Sequence, residues 1–200
     1  MKIVEIGKKV NNFKAKSTSE IEFKLKDFQD YFLVLYFYPK DSTPGCTQEG
    51  IDFSNNYKKF KTLNTEIFGI SRDSIKSHEN FKKKYKYKFD LISDENEEIC
   101  KMFDVIKEKN MYGKKYMGIE RSTFVIDQKS KLIKEWRKVK VKDHVKEVLS
   151  FIKNHAWFLI KAFCVTYKLI CYFKSEFMSF LDEVKVSSKF WIQWYIWKSI

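Results

Sequence analysis

The 200-residue sequence has few of the residues that build metal sites and disulfide frameworks. Its four cysteines, Cys46, Cys100, Cys164 and Cys171, form no C-x-x-C pair, and its three histidines are isolated. Zinc sites need closely spaced cysteine and histidine ligands, so neither a metal nor another cofactor is predicted. The N-terminus lacks the apolar segment of a signal peptide, which indicates a cytoplasmic, reducing location where a lone cysteine is more often reactive than structural.

Arginine is also scarce, although the formal net charge is +13. The sequence has three arginines, Arg72, Arg121 and Arg137, and 36 lysines. The longest run of consecutive lysines covers residues 82–84. The lysines are scattered between acidic residues, a pattern typical of a solvated surface. Nucleic acid is therefore not predicted as a partner.

Proline occurs only at positions 39 and 44, and both prolines lie in the segment that leads to Cys46. The preceding run 31–38 is almost continuously apolar and predicts a central strand that is buried on both faces. Apolar residues then recur at helical spacing through residues 46–63, so a helix is predicted there. A cysteine in the first turn of a helix lies beside unpaired N–H groups and the positive end of the helix dipole, which stabilise a thiolate.

The other patterns along the chain predict an α/β fold within residues 1–153. Further strands are predicted at 21–25, 65–71, 89–92, 121–127 and 131–137, and further helices at 74–85, 97–103 and 142–153. Residues 1–20 show little periodicity, and the stretch with Gly113 and Gly118 is expected to be a loop. This order of elements predicts one domain with a mixed β-sheet and helices on both faces.

Residues 154–200 differ in composition and form an aromatic-rich C-terminal extension. Of the 46 residues from His155 to Ile200, 13 are aromatic, and the segment contains neither glycine nor proline. Lys161 and Lys168 interrupt its apolar part, which weakens a transmembrane interpretation. Three interpretations stay open: a helix that contacts or enters a membrane, an extension that packs on the domain or a partner, and a read-through or out-of-frame segment without selected structure.

The loop before the predicted helix contains the pattern Pro39-x-x-x-Thr43-x-x-Cys46. Pro39 restricts the loop and shields the sulfur from water, while the Thr43 hydroxyl, one turn away, can orient a thiolate or a substrate oxygen. Arg121 precedes a predicted strand where the sheet should meet this loop, and its planar guanidinium can hold two oxygens at once. These residues predict a site built around an activated thiolate.

The chain resembles the peroxiredoxins of the PrxQ subfamily, also called bacterioferritin comigratory proteins. The resemblance covers about residues 3–153 and lies in the strings LYFYPKDSTPGCTQE, FGISRDSIKSHENFKKKY, LISDENEEICKMF and KKYMGIERSTFVID. It implies a thioredoxin-like fold and a thiol-dependent reduction of hydrogen peroxide and organic hydroperoxides, in antioxidant defence and cell redox homeostasis.

The resemblance also implies a role for each residue of the pattern. Cys46 attacks the peroxide and becomes a sulfenic acid, Thr43 and Arg121 hold the peroxide oxygens, and Pro39 covers the site. Glu49, one helical turn after Cys46, either hydrogen-bonds Arg121 or is an exposed acid of the helix.

The sequence departs from the PrxQ pattern at the resolving cysteine, the second thiol of the reaction. Many members carry it five residues after the first cysteine, where Ile51 stands here, and others carry it near Phe81 and Lys82. Either thioredoxin, glutaredoxin or a small thiol resolves the sulfenic acid, or Cys100 does so. Cys100 is otherwise a small buried hydrophobic residue. The resemblance favours a monomer.

A function of another class stays open at this point. The aromatic tail is compatible with a non-enzymatic binding or holdase protein, membrane-associated through residues 154–200.

Overall fold

The computed structural model describes residues 3–111 and 114–156. The chain divides into two compact units, Met1–Lys153 and Asn154–Ile200. The predictions for residues 157–200, including Cys164 and Cys171, lie outside the described residues. Among those that are described, no helix is long and apolar enough to cross a membrane.

A mixed seven-stranded sheet forms the centre of the first unit, as predicted. The strands of the described residues are β1 (Lys14–Ser17), β2 (Glu22–Lys24), β3 (Phe32–Phe37), β4 (Thr65–Ser71), β5 (Asp90–Ser93), β6 (Ile106–Met111), β7 (Lys114–Ile119), β8 (Ser122–Ile126) and β9 (Leu132–Trp136). The sheet order is β2-β1-β5-β4-β3-β8-β9, in which β3, β4 and β5 run parallel and the other pairs are antiparallel. The helices are α1 (Pro44–Lys61), α2 (Ile75–Tyr85), α3 (Glu98–Met102) and α4 (residues 144–156).

Both faces of β3 are covered, which confirms the prediction of a buried central strand. Leu33, Leu35 and Phe37 belong to the hydrophobic core that includes α3. Tyr36 points to the other face, where its ring stacks on Phe53 of α1 with 4.7 Å between the centroids. Side chains alternate along a strand, so this one strand anchors elements on both sides of the sheet.

One strand had no prediction in the sequence, and one expectation of a loop was wrong. Part of residues 1–20 forms β1, which pairs with β2 and β5. The expected loop with Gly113 and Gly118 contains β6 and β7, a separate antiparallel ribbon. Both segments are rich in lysine. The apolar alternation of the β1 segment is limited to Phe13 and Ala15, so the backbone pairing left only a weak hydrophobic signal.

The prediction for residues 21–25 was too long at its end. β2 stops at Lys24, and a 3-10 turn begins at Leu25 and ends at Phe28. Leu25 is buried within this turn, because its side chain joins the hydrophobic core.

The register of the central strands places the candidate site at one edge of the sheet. β3 ends at Phe37, which pairs with Ser122, the first residue of β8. Arg121 precedes Ser122 and therefore lies beside the loop that leaves β3, although the strand begins one residue later than predicted. That loop ends at Thr43, and α1 begins with Pro44, a residue suited to the first turn because it has no N–H group to satisfy.

Candidate active site

Cys46 lies in the first turn of α1 and is almost completely buried, with 1% of its surface exposed. Thr43 precedes the helix in an extended conformation, and its carbonyl accepts the first helical hydrogen bond, from Thr47 N at 2.9 Å. The Thr43 hydroxyl donates to the Lys40 carbonyl at 3.1 Å. The free N–H groups of the first turn and the helix dipole therefore surround the Cys46 sulfur with positive potential.

Arg121 connects Cys46 to Glu49. Its Nη2 lies 3.2 Å from Sγ of Cys46, and its Nη1 donates to Oε2 of Glu49. Burial opposes the positive charge of Arg121, but the neighbouring Glu49 and Cys46 outweigh that effect and raise the guanidinium pKa. The guanidinium thus stays charged while it contacts the sulfur.

Glu49 is completely buried, so the exposed-acid interpretation was wrong. The hydrogen bond from Arg121 agrees with the alternative. Burial raises the pKa of Glu49 from 4.5 to about 7, although Arg121 opposes the shift. Oε1 has no hydrogen-bond partner in the part of the chain that the structure describes. A carboxyl group with a pKa near neutrality can change its protonation state within the working range of a cell.

A buried cluster of polar side chains anchors the loop between β3 and α1. The carboxylate of Asp41 accepts hydrogen bonds from Tyr38 at 2.8 Å and Ser77 at 2.7 Å, and it lies 2.9 Å from Nδ1 of His78. Burial acts to raise the pKa of Asp41, but the hydrogen bonds from His78, Ser77 and Tyr38 hold it below its ordinary value. The loop that carries Pro39 is therefore tied to α2.

The two remaining predicted residues, Pro39 and Cys100, lie in different surroundings. Pro39 is half-buried in the anchored loop. Cys100 lies in α3 with no exposed surface, and its backbone N–H donates to Asp94 at 2.7 Å. Burial, followed by the nearby Asp94 carboxylate, raises the pKa of the Cys100 thiol well above its usual value. This environment suits a small buried hydrophobic residue and opposes ionisation of the thiol.

Three features of the site have no clear signal in the sequence. Lys109 of β6 donates to the Ile119 carbonyl at 2.6 Å, and its pKa is lowered by burial and then by Arg121. The hydroxyl of Tyr87, in the loop between α2 and β5, donates to the Thr47 carbonyl of α1 at 3.1 Å. The Asp41 cluster is the third feature. His78 lies on α2, and no pattern in the sequence could name its partner 37 residues away.

The comparisons with known proteins agree with this fold and this site. Residues 6–135 match the AhpC/TSA family. A relative called peroxiredoxin Bcp from Bacillus subtilis is 48% identical over 151 residues, which are 76% of this chain and 96% of the relative. A PrxQ mutant structure from Xylella fastidiosa matches with a TM-score of 0.74 and 43% identity, covering 76% of this chain and 98% of that one.

A further solved structure concerns a reaction. It describes trapped intermediate and ligand complexes of the bacterioferritin comigratory protein from Xanthomonas campestris, in relation to alkyl peroxide reduction by that protein. Its identity to this chain is 47% and its TM-score 0.69, with coverage of 72% of this chain and 92% of that one.

The fold, the cysteine at the N-terminus of α1 and the similarity to peroxiredoxins together place the chain in the class of thiol-dependent peroxidases. The chain belongs to the AhpC/TSA family, in its PrxQ subfamily of peroxiredoxins. Its general substrates are a peroxide and a reducing thiol. The non-enzymatic alternative is not favoured, because the family match includes the residues around Cys46.

Proposed function

We propose that Cys46 is the peroxidatic nucleophile of this peroxidase. The observation that carries the proposal is the contact of Arg121 with the Cys46 sulfur at 3.2 Å. The thiolate attacks one peroxide oxygen, the O–O bond breaks, and the distal oxygen leaves as hydroxide or alkoxide, which takes up a proton. Sulfur is oxidised to a sulfenic acid, and the peroxide is reduced to water or an alcohol.

During this attack, Arg121 and Thr43 contact the two peroxide oxygens. The guanidinium stabilises the negative charge that develops on the leaving oxygen. The Thr43 hydroxyl donates to the Lys40 carbonyl, so its lone pairs can accept a hydrogen bond from the peroxide OH. Pro39 restricts access of water to the sulfur. Glu49 supports the reaction through Arg121, whose direction it restrains.

We propose that an external thiol reduces the sulfenic acid. Cys100 is buried in the hydrophobic core, and this supports a structural role rather than a resolving one. Thioredoxin, glutaredoxin and small thiols are the candidate reductants. Hydrogen peroxide and organic hydroperoxides are the candidate substrates. We propose that the protein acts as a monomer in the cytoplasm. Nucleic acid has no part in this function, and membrane contact would require the tail beyond residue 156.

Mass spectrometry after one equivalent of peroxide tests the proposal. We expect Cys46 to gain one oxygen in the absence of thiol and to form a mixed disulfide when a thiol is added. The Cys46→Ser variant should consume no peroxide beyond the blank. Full activity of Cys46→Ser would refute the assignment, and an internal disulfide to Cys100 would refute the external reductant.

A further inference from the structure

A cavity of about 550 Å³ lies between the first turns of α1 and the beginning of α4. Pro44, Gly45 and Gln48 line it on one side, and Val141 and Lys142 on the other. Its volume falls within the range of small-molecule binding sites, which is roughly 300–1,000 Å³. A single peptide-sized molecule would fit.

The cavity borders the guanidinium that contacts the reactive cysteine. A Cβ atom on Gly45 would lie 3.3 Å from Nη2 of Arg121 and 3.9 Å from Cγ2 of Val141. The same Nη2 atom is 3.2 Å from Sγ of Cys46. Gly45 and Val141 therefore form the boundary between the cavity and the thiol, and glycine keeps that boundary thin.

Charged groups of both signs line the cavity. Lys142 and Lys146 supply two ammonium groups, and Asp52 and Asp143 supply two carboxylates. Lys146 pairs with Asp143 at 2.7 Å, and Asp52 accepts a hydrogen bond from the Gln48 amide at 2.8 Å. Asp143 and Lys146 already pair with each other, so a ligand that carries a carboxylate and an ammonium group together would meet Lys142 and Asp52 as partners of opposite sign.

The identity of such a ligand follows from the reaction. The proposed function requires a second thiol, and the other cysteine of the described residues, Cys100, has no exposed surface. We propose that the cavity binds a zwitterionic, peptide-sized thiol that reduces oxidised Cys46. This inference rests on the proposed function, because it names the reductant of the same site.

The proposed step balances with two molecules of the thiol. The first attacks the sulfenic sulfur of Cys46, the S–O bond breaks, and the oxygen leaves as water with the thiol proton. A mixed disulfide between Cys46 and the ligand is formed. A second thiol attacks the ligand sulfur, which releases the Cys46 thiolate and the ligand disulfide. The two thiols supply the two electrons that the peroxide removed.

Steady-state kinetics with glutathione as the zwitterionic probe test the inference in the full-length protein. We expect turnover to saturate with glutathione. S-methylglutathione, which has no free thiol, should compete with glutathione and leave turnover with uncharged dithiothreitol unchanged. Turnover that rises linearly with glutathione, or equal inhibition of both reductants, would overturn the proposal.

Charge reversal on the cavity wall provides a second measurement. Lys142→Glu should raise the KM for glutathione about tenfold, which corresponds to roughly 1.4 kcal/mol. Lys140→Glu, an exposed residue outside the lining, makes the same change of charge and should leave this KM within about twofold of the native value. An equal rise in both variants would indicate general electrostatics and contradict a site.

A single-turnover measurement separates this inference from the proposed function. Oxidation of Cys46 by hydrogen peroxide is followed in the absence of any thiol. If Cys46 is not oxidised, the proposed function fails. If Cys46 is oxidised but turnover does not saturate with glutathione, only the inference about the cavity fails.

Discussion

Arg121 contacts Cys46 with one guanidinium nitrogen and Glu49 with the other. A planar guanidinium holds two partners in fixed directions, whereas the ammonium group of lysine is a point charge on a flexible chain. We expect Arg121→Lys to keep the charge but lose this geometry, and to slow the oxidation of Cys46 by about 100-fold. Rapid-quench alkylation of the remaining thiol after mixing with hydrogen peroxide measures this rate.

Arg72→Lys is the matched control for this prediction. Arg72 pairs with Glu97 at 2.8 Å, and both side chains are partly exposed. The same substitution there should leave the oxidation rate within about twofold of the native value, because Arg72 donates to Glu97 and the Met117 carbonyl rather than to Cys46. A native rate in Arg121→Lys would remove Arg121 from the proposed mechanism.

Glu49 should make the stability of the fold depend on pH. Its pKa in the folded state is about 7, raised by burial above the ordinary value of 4.5. The folded state then binds this proton more tightly than the unfolded state, so the contribution of Glu49 to stability is full below pH 4.5 and is lost as the pH rises to about 7. We expect Glu49→Gln to remove this decrease, which is at most about 3 kcal/mol.

Urea unfolding at several pH values between 4 and 8, roughly the range over which Glu49 should titrate, measures the effect. The informative quantity is the difference between native protein and Glu49→Gln, because other titrating groups cancel in it. Glu5→Gln, an exposed glutamate near the start of the described residues, is the control and should follow the native curve. Native protein that gains stability relative to Glu49→Gln as the pH rises would contradict the assigned direction of the pKa shift.

Gly50 leaves room for the ring of Tyr87 against α1. An alanine Cβ at this position would lie 2.5 Å from both Cζ and the hydroxyl oxygen of Tyr87. Alanine normally favours a helix over glycine by about 1 kcal/mol. Here we expect Gly50→Ala to lower the free energy of unfolding by about 1–3 kcal/mol, because the overlap displaces a packed ring.

A double-mutant cycle tests the cause of this effect. In a Tyr87→Leu background the ring and its hydroxyl are absent, so Gly50→Ala should become neutral or stabilising. Denaturant unfolding of the four proteins gives the coupling free energy between the two positions. A loss of stability that is the same in both backgrounds would show that Tyr87 is not its source.

Cys100 should be dispensable for catalysis. Its thiol is buried in the hydrophobic core, and burial raises the thiol pKa. We expect Cys100→Ala to keep the native peroxidase rate with an external thiol and to lose about 1 kcal/mol of stability, the scale of a small cavity. A turnover assay with dithiothreitol, together with urea unfolding, measures both quantities. Sulfenic acid that accumulates in Cys100→Ala but not in the native protein would instead indicate a resolving role.

Much of the fold could be predicted from local patterns. The strand predicted at 65–71 coincides with β4, and Ser74 caps α2 by accepting a hydrogen bond from Ser77 N. These features depend on residues close together in the chain. β1 and the β6–β7 ribbon could not be predicted in this way, because backbone pairing with other strands holds them.

In the candidate site, too, some features could be predicted from nearby residues and others depend on tertiary packing. Pro39, Thr43 and Cys46 lie within eight residues, so their common loop was visible in the sequence. The sequence left the burial of Glu49 undecided, because helical spacing does not say which side of the first turn of α1 packs against the rest of the protein. Its complete burial, and the hydrogen bond from Arg121 that accompanies it, depend on how β8 meets α1.

The sequence by itself determined the segment from Tyr36 to Glu49: an apolar strand, a loop restricted by proline, and a helix that begins just before Cys46. Backbone sterics and hydrophobic periodicity act over a few residues, and this segment needs nothing else. The tertiary structure decided which cation reaches the sulfur, because Arg121 is 75 residues away and only the register of β3 with β8 brings it there. It also decided the raised pKa of Glu49, because burial depends on every element that packs around a group.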